Sequence, residues 1–218
     1  MTRTDTAHLD WDERWRTGAG RADWLEPDAD VEACTRELRA RGAVTALDLG
    51  SGVGRHALML AAMGFETSAI DASAAGLEQL AASAARAGLR IDARQGLMTE
   101  LPFGDASFDY VLSFNVLYHG DEEVVRLAFS EIVRVLRPGG TFQGTMLSDR
   151  HELFGRGRAI SANTFVIDGD EDDKSHPHHY CDAAALIALM APMQVRSLVD
   201  REQRRPGNWH WHVVAERV

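Results

Sequence analysis

The chain has 218 residues, 45% of them apolar, and 23 basic against 33 acidic side chains give a formal charge of −10. That is enough apolar material for one core without disulfide or metal staples, while the negative balance disfavours a nucleic-acid partner. Cys34 and Cys181 make no CxxC and no disulfide framework, Asp5, Asp10, Asp12 and Glu13 stand where a secretory leader needs an apolar core, and no apolar run approaches the roughly 18 residues of a membrane span, so a cytoplasmic protein without membrane partner is expected.

In chain order, a polar segment studded with Trp11, Trp15 and Trp24 precedes a helix predicted from about Asp28 to Ala40. Val44–Leu49 reads as a first strand that ends in a glycine cluster, followed by a helix from Arg55 to Met63. Glu66–Asp71 is a second strand, and Ser73 is the expected N-cap of an Ala-rich helix running to Arg86. Arg90–Arg94 is a third strand and Phe108–Phe114 a stronger fourth. Asp121–Leu136 is an amphipathic helix that Pro138-Gly139-Gly140 should stop, and Thr141–Leu147 is a fifth strand. Alternation of this kind implies βαβ units and a mostly parallel sheet with helices on both faces. Residues 149–180 break the pattern and are expected as a substrate-side loop insertion. A helix at Asp182–Met190 and strands at Gln194–Val199 and Trp209–Ala215 follow, the last two close enough to pair as an antiparallel hairpin.

The informative segment is Asp48-Leu49-Gly50-Ser51-Gly52-Val53-Gly54, lying between a strand and a helix. Glycines there let the backbone turn tightly and approach a ligand without a Cβ in the way. The second strand ends at Asp71, seventeen residues past Gly54, where an acid can accept from both hydroxyls of a ribose. A dinucleotide would need G-x-G-x-x-G. The spacing here is G-x-G-x-G with Asp48 before it, which suits a ligand carrying a cationic amino group and disfavours, without eliminating, a nicotinamide cofactor.

LDLGSGVGRHALMLA resembles the first motif of class I S-adenosylmethionine-dependent methyltransferases, and AIDAS resembles the second-strand tip of that family. QGLMTELPFGDASFDYVLSFNVLYH and EIVRVLRPGGTF resemble its later motifs in the same order. The resemblance implies an α/β, Rossmann-like seven-stranded sheet in the order 3-2-1-4-5-7-6 with strand 7 antiparallel. It also implies S-adenosyl-L-methionine as cofactor, with S-adenosyl-L-homocysteine as product. By position, Gly50, Gly52 and Gly54 would line the methionine and ribose portion, Asp48 the amino group, Asp71 the ribose and Ala72 the adenine. Leu97 and Met98 fall where the family often has an acid followed by a small or apolar residue, so adenine contacts here are expected to be apolar and backbone-borne. Asn115 would face the methyl-donor end. GRGRAISANTF, HPHHY and NWHWHVVAERV resemble bacterial small-molecule methyltransferases, including tellurite-resistance-like ones.

Candidates for the chemistry are Tyr118 and His119, past the fourth strand, as acceptor contact and base. Arg156 and Arg158 could clamp an oxyanion, while Trp15 and His178 are further acceptor-side candidates. No metal is expected because the histidine spacing matches no standard zinc pattern; were one bound, His178, His210 and His212 would be the candidates. Residues 1–42 are expected as a helical lid on a single domain covering 1–218, acting on a small-molecule acceptor as a monomer or homodimer. Alternatives are a different S-adenosylmethionine chemistry on the same fold, or a cofactor-binding regulatory module without turnover.

Overall fold

A computed structural model describes residues 4–169 and 174–218. The chain opens with helices α1 (Ala7–Arg16) and α2 (Gly18–Arg21), a 3-10 turn at Ala22–Trp24, and α3 (Ala29–Ala40). The alternating part follows: β1 (Thr45–Leu49), α4 (Arg55–Ala62), β2 (Glu66–Asp71), α5 (Ala74–Ala87), β3 (Ile91–Gln95), β4 (Phe108–Ser113), α6 (Glu122–Val135) and β5 (Leu136–Ser148). Then come β6 (Arg158–Ser161), β7 (Thr164–Val166), β8 (His178–Cys181), α7 (Ala183–Leu189), β9 (Gln194–Glu202) and β10 (Trp209–Glu216).

Local chemistry sets these boundaries. Ser73 accepts the N–H of Gly76 and Asp121 that of Val124, the side-chain caps that open α5 and α6. α5 ends at Gly88 in the left-handed conformation. On α6, Val125, Ala128, Phe129, Ile132 and Val135 recur at helical spacing and are buried together. Their facing strands alternate: Leu47, Leu49, Val111 and Phe142 pack with Phe129 and Ile132. Ala46, Tyr110 and Leu112 instead pack with Val31 of α3 and Leu60 of α4. The sheet is thus covered on both faces.

Strands β3-β2-β1-β4-β5 are parallel neighbours in that order. β10 lies antiparallel beside β5, with Val213 opposite Gly144, and β9 pairs antiparallel with β10 at the edge. This is the expected seven-strand order, with its terminal hairpin.

Two expectations are corrected. The Pro138-Gly139-Gly140 turn does not precede the fifth strand but lies within it. Leu136 already pairs with Phe108, and the register shifts before Tyr110 pairs with Thr141. The turn is held by the end of the chain, with Gly139 N–H donating to Arg217 O at 2.7 Å and Arg217 N–H to Gly140 O at 2.9 Å. In the 149–180 segment, expected as a loop, the described residues 158–161, 164–166 and 178–181 form a small antiparallel layer β6-β7-β8, while 170–173 lie outside the described residues. β8 returns parallel to β5, Leu147 opposite Tyr180 and Ser148 opposite Cys181. These strands escape sequence periodicity because β6 is exposed throughout and β8 buried throughout.

Candidate functional site

A cleft of about 940 Å³, counting its open mouth, runs along the C-terminal ends of β1, β2 and β4. Its floor is the glycine loop. Gly50, Gly52 and Gly54 all have positive φ, and a Cβ on Gly50 would stand 2.4 Å from Val116, on Gly54 2.2 Å from Leu80. Only glycine fits this tight turn.

Asp48 lies beneath the loop at 2% exposure, and its Oδ2 has no hydrogen-bond partner among the described residues. Burial pushes its carboxyl up to about 7, against the N–H of Ala57 and the charge of Arg55. A buried carboxylate with an orphan oxygen is costly unless a donor reaches it. A ligand's ammonium group is such a donor, directly or through water. Ser51, which lines the cleft, also has a buried hydroxyl without a partner among the described residues.

At the β2 tip, Asp71 accepts the Gly52 N–H at 2.6 Å and the Ser73 N–H at 2.8 Å. Burial raises its pKa while those two bonds oppose the rise. Its carboxylate keeps further lone pairs for two hydroxyls of a sugar. Ala72, Leu97, Met98 and Asn115 also line the cleft. Asn115 has φ +64, its N–H donates to Thr145 Oγ1, and its Oδ1 accepts the Thr145 hydroxyl, which fixes the amide at the β4 tip.

The opposite wall is aromatic. Trp15 of α1, 5% exposed, lies over Gly52 and stacks on Trp11 at 4.8 Å, with Trp24 edge-on to both. Asp12 of the same helix accepts the Ser73 hydroxyl at 2.8 Å and the Ala75 N–H at 2.9 Å. The N–H of Ala75, with Arg16 and Ser73, holds Asp12 down at about 2. α1 is thereby tied to the start of α5.

Asn115 and Trp24 also border a second cavity, lined by Tyr118 and His210 and, among the described residues, by the cations Arg14, Lys174, Arg204 and Arg205 and the acid Asp23. Arg204 stacks on Trp24 at 4.2 Å. Arg55, on the first cleft, is pulled down to about 10 by burial and by Arg204. Among the described residues, basic side chains gather here although the net charge of the chain is −10.

Several expected site residues lie elsewhere. Arg156 and Arg158 are exposed on the insertion and line neither cavity; Arg158 pairs with Asp168 at 3.5 Å. The cationic wall is built instead from α1, Lys174 and the β9–β10 turn, which only folding brings together. Trp15 sits on the glycine loop rather than beside the second cavity. Tyr118 faces that cavity, not the cleft. His119 lines the cleft, but its Nε2 bonds Asn115 O at 3.3 Å and its Nδ1 lies 2.9 Å from His176 Nε2. His178 is buried behind it. His210 and His212 share one face of β10 but do not join His178: His210 bonds Asn208 O, and His212 lies against Phe114 and Arg201.

A parallel sheet with a glycine loop after its central strand, an acid at the next strand's tip and a reversed strand beside β5 is the architecture of class I methyltransferases. Residues 46–140 match a family model described as a methyltransferase domain. Over 111 residues the chain is 33% identical to a ubiquinone biosynthesis O-methyltransferase of Paramagnetospirillum magneticum, covering 51% of this chain and 43% of that protein. A probable S-adenosylmethionine-dependent methyltransferase of Mycolicibacterium smegmatis is 40% identical over 77 residues, 35% of this chain and 28% of that one. The chain spans less than half the length of the curated relatives it matches. Among solved structures, the 1,6-didemethyltoxoflavin-N1-methyltransferase of Burkholderia thailandensis, with its substrate and S-adenosylhomocysteine bound, superposes with a TM-score of 0.73 at 21% identity, covering 97% of this chain and 87% of that one. Over residues 46–140 the chain therefore matches a methyltransferase domain, on the fold of the solved methyltransferase.

Proposed function

We propose that this protein transfers the methyl group of S-adenosylmethionine to a small, anionic acceptor. The observation that carries the reading is the buried Asp48 oxygen without a partner among the described residues, set under a glycine loop whose neighbouring strand ends in Asp71. In this arrangement Asp48 receives the cofactor's amino group and Asp71 its ribose hydroxyls. Leu97 and Met98 pack against the adenine. The bound cofactor supplies an electrophilic methyl on a sulfonium, and in-line displacement then needs an aligned nucleophile in a site shielded from water. The second cavity, sharing Asn115 and Trp24 with the cleft, supports an acceptor approaching from that side, with Arg204 and Lys174 favouring negative charge. Helix α1 closes the cofactor side as a lid.

Calorimetry with S-adenosylmethionine, S-adenosylhomocysteine and NADH tests the cofactor half. The first two should bind and NADH should not. Asp71→Ala, with its fold checked by circular dichroism, should weaken binding at least about a hundredfold, since two charge-assisted hydrogen bonds at about 1.5–3 kcal/mol each are lost. Binding of NADH alone would sink the proposal. Cofactor binding without S-adenosylhomocysteine formation across carboxylate, hydroxyl and thiol acceptors would leave a binding module rather than a transferase.

A further inference from the structure

We infer that His119, His176 and His178 form a binding site for a divalent transition-metal ion of the zinc class, at the inner wall of the cleft. All three are buried, at 7%, 3% and 1% exposure, and one ring nitrogen from each lies within 4.8 Å of the other two. Backbone pairing assembles them: Gly120 N–H donates to Pro177 O at 3.0 Å and His179 N–H to Tyr118 O at 2.8 Å. The segment carrying His119 is thus stitched to the one carrying His176 and His178.

The outer nitrogens decide the chemistry of the inner ones. His176 Nδ1 faces the Asp10 carboxylate at 2.9 Å, His178 Nδ1 faces His176 O at 2.9 Å, and His119 Nε2 faces Asn115 O at 3.3 Å. Oxygens of carbonyls and carboxylates accept, so each of these nitrogens carries the hydrogen. The lone pairs then sit on His119 Nδ1, His176 Nε2 and His178 Nε2, on three rings that each bring a nitrogen within 4.8 Å of the others. His119 Nδ1 and His176 Nε2 are 2.9 Å apart, and two facing lone pairs at that distance repel unless a positive charge lies between them. A proton would satisfy two imidazoles; the third is what a metal ion uses. Nitrogens about 2.0–2.1 Å from a tetrahedral zinc stand roughly 3.4 Å apart, between the spacings found here. Anchoring each ligand through its remote nitrogen is the usual outer support of imidazole metal sites.

Because His119 also lines the cleft, four residues past Asn115, the ion adds a Lewis acid there. If the methyl-transfer reading holds, it favours an acceptor hydroxyl or thiol, whose proton it would acidify. The site itself does not depend on that reading.

The test uses untagged full-length protein, stripped with chelating resin and titrated with Co²⁺, then competed with Zn²⁺. One equivalent should bind with the visible ligand-field band of imidazole-bound cobalt. His176→Gln and His178→Gln should weaken binding at least about a hundredfold, and Asp10→Asn roughly 10–100-fold. His210→Gln and His212→Gln should leave it unchanged. S-adenosylhomocysteine affinity, read on every variant, shows that the fold persists. Asp10→Asn keeps the test open should a histidine variant fail to fold. No stoichiometric cobalt or zinc on the wild type, or binding unaltered in His176→Gln, His178→Gln and Asp10→Asn, would overturn the site and leave a shared proton in its place.

Discussion

The two walls of the cleft are built on opposite plans. One is backbone: a glycine loop and strand tips, with two carboxylates, Asp48 and Asp71, held by main-chain N–H groups of the sheet and its helices. The other is side chain: three tryptophans and His119, continued in the adjoining cavity by Arg204 and Arg205, delivered by α1, the 3-10 turn, the loop after β4 and the β9–β10 turn. The first can recognise only what the sheet geometry dictates, so it suits a fixed cofactor. The second can be re-cut residue by residue, which suits a variable acceptor.

The sharpest way to break this contrast is through Asp48. Its folded pKa of about 7 exceeds the ordinary 3.8, so its burial costs nothing below about pH 4, where folded and unfolded forms are both protonated. That stability is lost as pH rises through 7, by up to about 4 kcal/mol. Denaturant unfolding of the ligand-free protein should therefore show stability declining from pH 5 to pH 8, and Asp48→Asn should flatten the decline. S-adenosylhomocysteine binding to the wild type near pH 6 should release a proton, seen as a buffer-dependent calorimetric enthalpy. Equal slopes in wild type and variant would mean that Asp48 is not the desolvated group described here.

A smaller effect tests how the side-chain wall is fastened. Asp12→Ala removes the acceptor for Ser73 and Ala75 and should cost about 1 kcal/mol, read as a lower melting temperature with altered tryptophan fluorescence. With a pKa held near 2, Asp12 gives its stabilisation above about pH 4 and loses it as pH falls through 2, so the difference between wild type and variant should vanish in strong acid. The smallest expected effect is Arg158→Ala, within about 0.5 kcal/mol in stability and without change in cofactor affinity. A large loss there would move the acceptor site onto the insertion.

The same division decides what the sequence discloses. Asp48, the glycines, Asp71 and the caps Ser73 and Asp121 act within a few residues of their own strand or helix, so their spacing carries the information. So do the strands from β1 to β5 and the closing hairpin. The side-chain wall does not announce itself this way. Asp12 meets Ser73 across 61 residues, and His119 meets His176 across 57. Arg14, Lys174 and Arg204 converge from three separate segments, while Arg156 and Arg158, adjacent to glycines, stay exposed outside both cavities. The bulged start of β5 was hidden for the same reason, since its partner is Arg217 at the far end of the chain.

The return of β8 to the side of β5 has a consequence for how such a molecule can diversify. The chain departs at Ser148 and comes back with Cys181 opposite it, one strand spacing away. Everything between is a closed excursion whose two ends are fixed by the sheet. Doubling the length of such an excursion costs only about 0.6 kcal/mol in closure entropy. Lineages can therefore lengthen, trim or exchange this piece, and with it His176, His178 and Lys174, while the register of the strands beneath stays as it is.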